Sequence, residues 1–431
     1  MALIESEGVG TIPEEQRTKG PWQIFALWAG FSIVITNFLL GSLTVNAGLA
    51  VGFAAAALSV VMIGVIVYLG TRIAATEGTA GTTAMRAPFG IQGRVIPSLA
   101  MVMATVGWFG VQTGIVASST QQILAGWGID LSFWLLALVL GAVMAVAAIF
   151  GYEWIEWLNK IAVPVMVVLL GLVVYQIITN FGFALEGGSG MSFWQAMNVI
   201  PAATAAFLLV AMDYGRYGNN DSPGAASWGA TIAWIVFAVI LAGIGILAAA
   251  AAGTWDPVQI MVELGLGSVG LALLIAGSWT TNVTNVYAGG IALSQITGFK
   301  RVNMTVATGV IGTALAIAGI YSAGGIISFL SALTITLVPT TGIMLVHYYL
   351  FETSLDAEAL FERTGKYWYL RGWNPTAIVA WAIGAAFAVF TPEWTVPAIT
   401  SGIVAGVAYY VLKGPVDGWL STRQGAAQSA D

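Results

Sequence analysis

Long runs without a single Asp, Glu, Lys or Arg divide the chain: 20–71, 95–129, 131–152, 161–185, 187–212, 222–255, 264–299, 302–351, 372–392 and 394–412. About 20 apolar residues cross a bilayer as one helix. The first run and 302–351 are therefore long enough for two spans each. They turn at Asn46-Ala47-Gly48 and near Ser322-Ala323-Gly324-Gly325. The pattern predicts an all-α membrane protein of twelve transmembrane helices.

Charge placement tests that reading. With the N-terminus in the cytoplasm and the spans alternating, all 14 cationic residues fall on the cytoplasmic side, from Arg17 and Lys19 through Arg72, Arg86, Arg94 and Lys160 to Lys413 and Arg423. The outer loops keep Asp130, Glu186, Asp256, Glu263 and Glu393. Such sorting is the positive-inside rule, and one miscounted span would scramble it. The first 21 residues carry acids and no apolar core, so they read as a cytoplasmic tail and not as a signal peptide. The expected location is the cell membrane, multi-pass, with both termini cytoplasmic.

An odd number of spans in one half inverts the next. Spans 1–5 and 6–10 then form a 5+5 inverted repeat followed by two C-terminal helices, a common transporter plan whose sites lie where helices are interrupted. Span 1 reads Gly30-Phe31-Ser32-Ile33-Val34-Ile35-Thr36-Asn37, and span 6 reads Pro201-Ala202-Ala203-Thr204-Ala205-Ala206-Phe207. Either segment alone is compatible with ordinary small-residue packing; the pair at equivalent places points to broken helices. The expected organisation is a tail 1–21, a first repeat 22–181, a second repeat 182–350, a cytoplasmic loop 351–374, spans 11 and 12 in 375–413, and a tail 414–431.

Composition narrows the chemistry. The 431 residues are 58% hydrophobic and 8% charged, against about 25% charged in soluble domains. The absence of cysteine excludes disulfides, thiolate nucleophiles and Cys-based metal sites. The single histidine, His347, leaves no His-rich metal site, and 14 scattered Lys+Arg make no nucleic-acid surface. No ionisable side chain lies near a predicted membrane centre, where proton relays place theirs. Hydroxyl, amide, carbonyl and aromatic groups remain, and these suit a neutral polar ligand and a hard cation such as Na⁺. Gly265-Leu266-Gly267-Ser268-Val269-Gly270 matches a dinucleotide fingerprint, but no strand precedes it.

Span 8 carries Trp279-Thr280-Thr281-Asn282-Val283-Thr284-Asn285. The adjacent hydroxyls could complete a sodium shell near unwound carbonyls of span 1, and Asn282 offers a donor and an acceptor to a planar ring. The competing reading has the threonines bonding back to their own helix and Asn282 joining helices. In span 3, Trp108 and Gln112 are four apart and share a face. They form either a stacking platform beside an amide or ordinary packing. Asp213-Tyr214-Gly215-Arg216-Tyr217 is either a gate pair or a juxtamembrane cluster, and Glu153 and Glu156 beside Trp154 and Trp157 read as interfacial.

From about Lys19 to Gly402 the chain resembles the nucleobase–cation symporter family 1, in its cytosine/purine/allantoin/hydantoin permease branch. The resemblance is carried by Arg86-Ala87-Pro88-Phe89-Gly90-Ile91-Gln92-Gly93, Gly107-Trp108-Phe109-Gly110, Asp213-Tyr214-Gly215-Arg216-Tyr217, Trp279-Thr280-Thr281-Asn282, Tyr287-Ala288 and Ile296-Thr297-Gly298. It implies the fold of sodium/amino-acid symporters. It also implies import of a nucleobase or related planar N-heterocycle (cytosine, purine, hydantoin or thiamin-precursor class) with a cation, Na⁺ or H⁺, by alternating access.

Carried over by position, Trp108 would stack on the ring, with Gln112 beside it and Asn282 bonding its edge. Thr204, Phe207 and Ser32, at the two breaks, complete the expected substrate set. Na⁺ would be held by the Thr280 and Thr281 hydroxyls and the carbonyls of Gly30, Ile33 and Gly277. Departures from the family occur at Thr105, at Thr204-Ala205-Ala206, at Gly277 and at His347-Tyr348, and they weigh against cytosine itself. The expected partners are the substrate and the lipid bilayer, with no cofactor beyond the coupling ion, no nucleic acid and no obligatory protein partner. No enzymatic activity is expected. An amino-acid–cation symporter of the same fold is the alternative; it would have little need for a Trp108 platform.

Overall fold

The computed structural model describes residues 10–149, 164, 166–168, 170–181 and 188–428, with side chains to 415. The juxtamembrane pairs at Glu153 and Glu156, and much of the fifth predicted span, lie outside the described residues.

The described chain is helical, with only isolated bridges as extended pairing. The first predicted span is two helices, α1 (Pro21–Ser32) and α2 (Ile35–Leu43), bent by 57° at the break. Next come α3 (Leu49–Glu77), α4 (Val95–Gly126) and α5 (Phe133–Ile149). The sixth predicted span is also two helices, α6 (Phe193–Ala203) and α7 (Phe207–Gly215). They are followed by α8 (Pro223–Ala252), the short α9 (Pro257–Glu263), α10 (Gly267–Thr297) and α11 (Arg301–Ile317). The last are α12 (Ala323–Thr336), α13 (Val338–Val346), α14 (Pro375–Phe390) and α15 (Pro397–Gln428).

Local chemistry sets these boundaries. Pro21, Pro223, Pro257 and Pro375 open helices at a position whose N–H has no helical partner. Ser192 and Gln195 form a capping box, while Gly78, Gly253 and Gly298 end helices in the left-handed conformation. Among the described residues, five helices are long and apolar enough to cross a membrane, or six if the bent pair counts as one. The polar stripe of Ser278, Thr280, Thr281, Asn282, Thr284 and Asn285 dilutes the apolar character of α10.

Two groups of helices pack within themselves along their lengths. Spans 1, 2, 6 and 7 form one, with α3 and α8 at its centre; spans 3, 4, 8 and 9 form the other around α4 and α10. Close approach in the first depends on glycine: a Cβ on Gly41 would meet the Ala242 backbone, and one on Gly245 would meet that of Phe38.

The cation-bearing connections meet at one end of the bundle. Arg17 donates to the carbonyls of Ile12 and Thr76, each at 2.8 Å. Asp213 accepts the Gly81 N–H at 2.9 Å. The loop after α13 is strapped to the link between α3 and α4. Arg86 donates to the Leu360 carbonyl at 2.9 Å and lies over the Phe361 ring, and Asn374 donates to the Pro88 carbonyl at 2.6 Å. Burial, then nearby Arg94, pulls the Arg86 guanidinium down to about 10, so it stays charged at neutral pH. At the opposite end, the Met191 N–H meets the Asn46 carbonyl at 3.1 Å and Ser42 donates to that of Trp255 at 2.8 Å.

Candidate functional site

Both interruptions fall inside the segments the sequence singles out. In the first, Val34 is extended, so the last turn of α1 loses its helical hydrogen-bond partners. Asn37 reaches back over the gap, its amide donating to the Ser32 carbonyl at 2.8 Å. Ser32 is fully buried and its hydroxyl has no partner. The second break has a covalent cause nearby. Pro201 lacks an N–H, which frees the carbonyl four residues earlier; that carbonyl, of Met197, accepts the Ser59 hydroxyl of α3 at 3.0 Å. The helix gives way at 204–206, where the Thr204 hydroxyl bonds back to the Ile200 carbonyl at 2.7 Å.

The first break lies against α10. A Cβ on Gly277 would stand 3.1 Å from the Ile35 Cβ and 3.0 Å from the Met166 sulfur. The Thr280 and Thr281 hydroxyls each donate to the Gly277 carbonyl at 3.0 Å. Two hydroxyl oxygens are thus each held 3.0 Å from one carbonyl oxygen, on the helix that meets the break. Adjacent ligands of a hard cation, bound at about 2.3–2.6 Å, have similar spacing. The threonines bond within their own helix, as the packing reading anticipates, yet that bonding gathers the oxygens. A Cβ on Gly30 would meet nothing within 4 Å, and Ile33 is buried; their carbonyls belong to the open last turn of α1.

Gln112 is buried, and its amide donates to the Thr36 hydroxyl at 3.0 Å, while its Oε1 has no partner. One turn away, half-buried Trp108 meets the Phe329 ring edge-on at 5.4 Å. Phe329 also walls a groove of about 550 Å³ that runs from Met103 and Gly107 to Ala332. Asn282 meets α4 on the neighbouring face. Its amide nitrogen donates to the Phe109 carbonyl at 3.2 Å and the Thr113 hydroxyl at 3.1 Å, leaving Oδ1 unpartnered. The helix-joining reading of Asn282 therefore holds for its nitrogen, and only its oxygen is unengaged.

Phe207 belongs to an aromatic cluster, 5.5 Å from Phe31, 5.9 Å from Trp28 and 4.7 Å from Trp234. The structure thus brings Gln112, Thr36 and Ser32 to the first break, with Gly277, Thr280 and Thr281 beside it, and sets Phe207 among rings of α1. Sequence reasoning missed Thr36, Trp28, Trp234 and Phe329. Each matters through a partner distant in the chain, which no local spacing reveals. At the end of span 6, Asp213 accepts the Gly81 N–H and Arg216 lies over the Tyr217 ring at 5.1 Å.

A family profile described as permease for cytosine/purines, uracil, thiamine, allantoin matches residues 11–411. The hydantoin permease of Microbacterium maritypicum is 27% identical, over 94% of this chain and 87% of its own length. The cytosine permease of Escherichia coli K12 is 26% identical, over 94% of both. Among solved structures, the inward-facing conformation of Mhp1 superposes with a TM-score of 0.84 at 20% identity, covering 98% of this chain and 95% of that one. A closed form of Mhp1, a nucleobase–cation-symport-1 family transporter with bromovinylhydantoin bound, gives 0.79 at 21% identity, covering 98% and 97%.

Proposed function

Because the chain belongs to the family of membrane permeases for cytosine and purines, uracil, thiamine and allantoin, we propose that it imports a small planar N-heterocycle of the nucleobase or hydantoin class together with Na⁺, by alternating access. Its relatives are permeases and not enzymes. One observation carries the sodium part: the Thr280 and Thr281 hydroxyls converge on the Gly277 carbonyl where Gly277 abuts Ile35 of the first break. On ion binding the two hydroxyl protons turn outward. Their lone pairs and the released carbonyl face the ion, and the carbonyls of Gly30 and Ile33 close the shell. No carboxylate takes part.

The heterocycle lies between the two breaks. Trp108 stacks on its face, Gln112 addresses its edge through the unpartnered Oε1, and Asn282 contributes its unpartnered Oδ1. Ser32, Thr204 and Phe207 line the remaining side. The chain crosses the cell membrane twelve times as a 5+5 inverted repeat plus two helices, with the repeats at 22–181 and 182–350. Both termini and the 351–374 loop are cytoplasmic. Meeting of the cation-bearing connections at one end of the bundle supports this orientation.

The test is ligand-induced thermal stabilisation of the purified protein by cytosine, uracil, hydantoin, allantoin and a set of amino acids, in Na⁺ and in choline. The proposal expects one planar heterocycle to stabilise, and more strongly in Na⁺. Stabilisation by amino acids alone contradicts it, and equal stabilisation in choline removes the sodium part.

A further inference from the structure

We infer that Thr36 is a positioning residue that holds Gln112 away from the ligand, and that substrate binding breaks a tether between two helix groups. The inference rests on the reading that a heterocycle binds at Gln112. Thr36 stands in the second residue of α2, immediately past the first break. Its hydroxyl accepts the Gln112 amide at 3.0 Å. Within each helix group the joints are many: Trp234 donates to the Val60 carbonyl at 3.0 Å in one, and Asn282 bonds Phe109 and Thr113 in the other. Between helices of spans 1, 2, 6 and 7 and helices of spans 3, 4, 8 and 9, the Gln112–Thr36 pair is a direct side-chain hydrogen bond at the level of the first break. On the same seam Gly277 packs against Ile35.

Gln112 is 1% exposed, and its Oε1 is left without a partner. An unmatched buried amide oxygen is costly, and a ring presenting an N–H relieves that cost. A ring edge with adjacent N–H and C=O groups, as in nucleobases and hydantoins, addresses both amide atoms at once. The nitrogen, however, is engaged by Thr36. A bidentate ligand must take it, and in doing so it unties α2 from α4. Binding at the site is thereby converted into freedom between the two helix groups at the level of the break. The ligand forfeits the affinity equivalent to one neutral hydrogen bond, about two- to tenfold.

The test uses full-length protein, binding of cytosine, uracil, hydantoin and allantoin by calorimetry, and uptake into proteoliposomes. Thr36→Val keeps the shape and removes the acceptor. It is expected to bind the preferred compound about two- to tenfold more tightly and to lower the KM while reducing kcat, because release of the tether no longer accompanies binding. Thr36→Ser restores the hydroxyl and wild-type values, and Thr36→Ala replaces Thr36→Val if the valine variant does not fold. In a Gln112→Ala background, Thr36→Val is expected to change nothing further. Unchanged or weaker binding by Thr36→Val, with Gln112→Ala still damaging, overturns the inference alone. Wild-type binding by Gln112→Ala, or no binding of any of the four compounds to the wild type, overturns the underlying reading of the site.

Discussion

Gly277→Ala places one methyl group at the joint between the first break and α10. The added Cβ would stand 3.0 Å from the Met166 sulfur and 3.1 Å from the Ile35 Cβ. The thioether can swing aside, since methionine is unbranched and adaptable. Ile35 cannot: its Cβ is fixed to the backbone, it is 3% exposed, and it opens α2. The break must therefore move away from α10 by a few tenths of an ångström. Overpacking of this kind costs about 1–3 kcal/mol, and with one yielding neighbour the lower end applies. A cost of about 1 kcal/mol corresponds to roughly a fivefold loss. The loss falls on Na⁺, because the shift separates the Thr280, Thr281 and Gly277 oxygens from the carbonyls of α1. The assay is the Na⁺ concentration giving half-maximal ligand binding, expected to rise about fivefold. Gly171→Ala is the control, since a Cβ there meets nothing within 4 Å. A Gly277→Ala protein with an unshifted Na⁺ midpoint would refute the placement of the ion at this joint.

Further predictions concern other groups. Trp108→Ala is expected to weaken every planar ligand similarly, by about two- to tenfold beyond lost contact area, measured by calorimetry across the four heterocycles; a loss confined to one ring isomer would argue for edge recognition. Asn282→Ala removes the bonds to Phe109 and Thr113, so thermal stability without ligand falls by about 1–3 kcal/mol; a variant as stable as wild type would show those bonds to contribute nothing. Burial raises the Glu352 carboxyl, but His347 at 3.6 Å, Lys366 at 3.1 Å and the Tyr367 hydroxyl donating at 2.9 Å outweigh it and hold the group at about 2, below the ordinary 4.5. A depressed carboxyl stabilises fully above about pH 4.5 and loses that contribution as pH falls toward 2, so the stability gap between wild type and Glu352→Gln should close over that window. A cysteine replacing the exposed Ala357 of this cysteine-free chain should resist external impermeant thiol reagents in intact cells and react once they are opened; external labelling would reverse the orientation.

Much of the architecture was legible because a bilayer penalises charge so heavily. Among the described residues the apolar helices lie largely within the charge-free runs, and loops that collect cations meet at one end in space. Both breaks were legible as regions and not as positions. The first falls at Ile33-Val34, two β-branched residues with nothing in their own chemistry to mark an interruption; the capping Asn37 is the local signal. The second falls three residues beyond Pro201, whose effect is passed to Ser59 of another helix. Asn282 illustrates the limit at the site. Its residue type suits a ligand and a helix joint equally, and only the partners Phe109 and Thr113 reveal that its nitrogen is engaged. Thr36 was invisible for the complementary reason, since its partner Gln112 is 76 positions away in the chain.

The most direct test of cation-coupled heterocycle transport is uptake of radiolabelled cytosine, uracil, hydantoin and allantoin into proteoliposomes under an imposed Na⁺ gradient, with pH equal on both sides. The account predicts transient accumulation of one of these compounds above equilibrium, abolished when Thr280 and Thr281 are both changed to Ala and absent when choline replaces Na⁺. Accumulation that ignores Na⁺ and follows only an imposed pH gradient would contradict it.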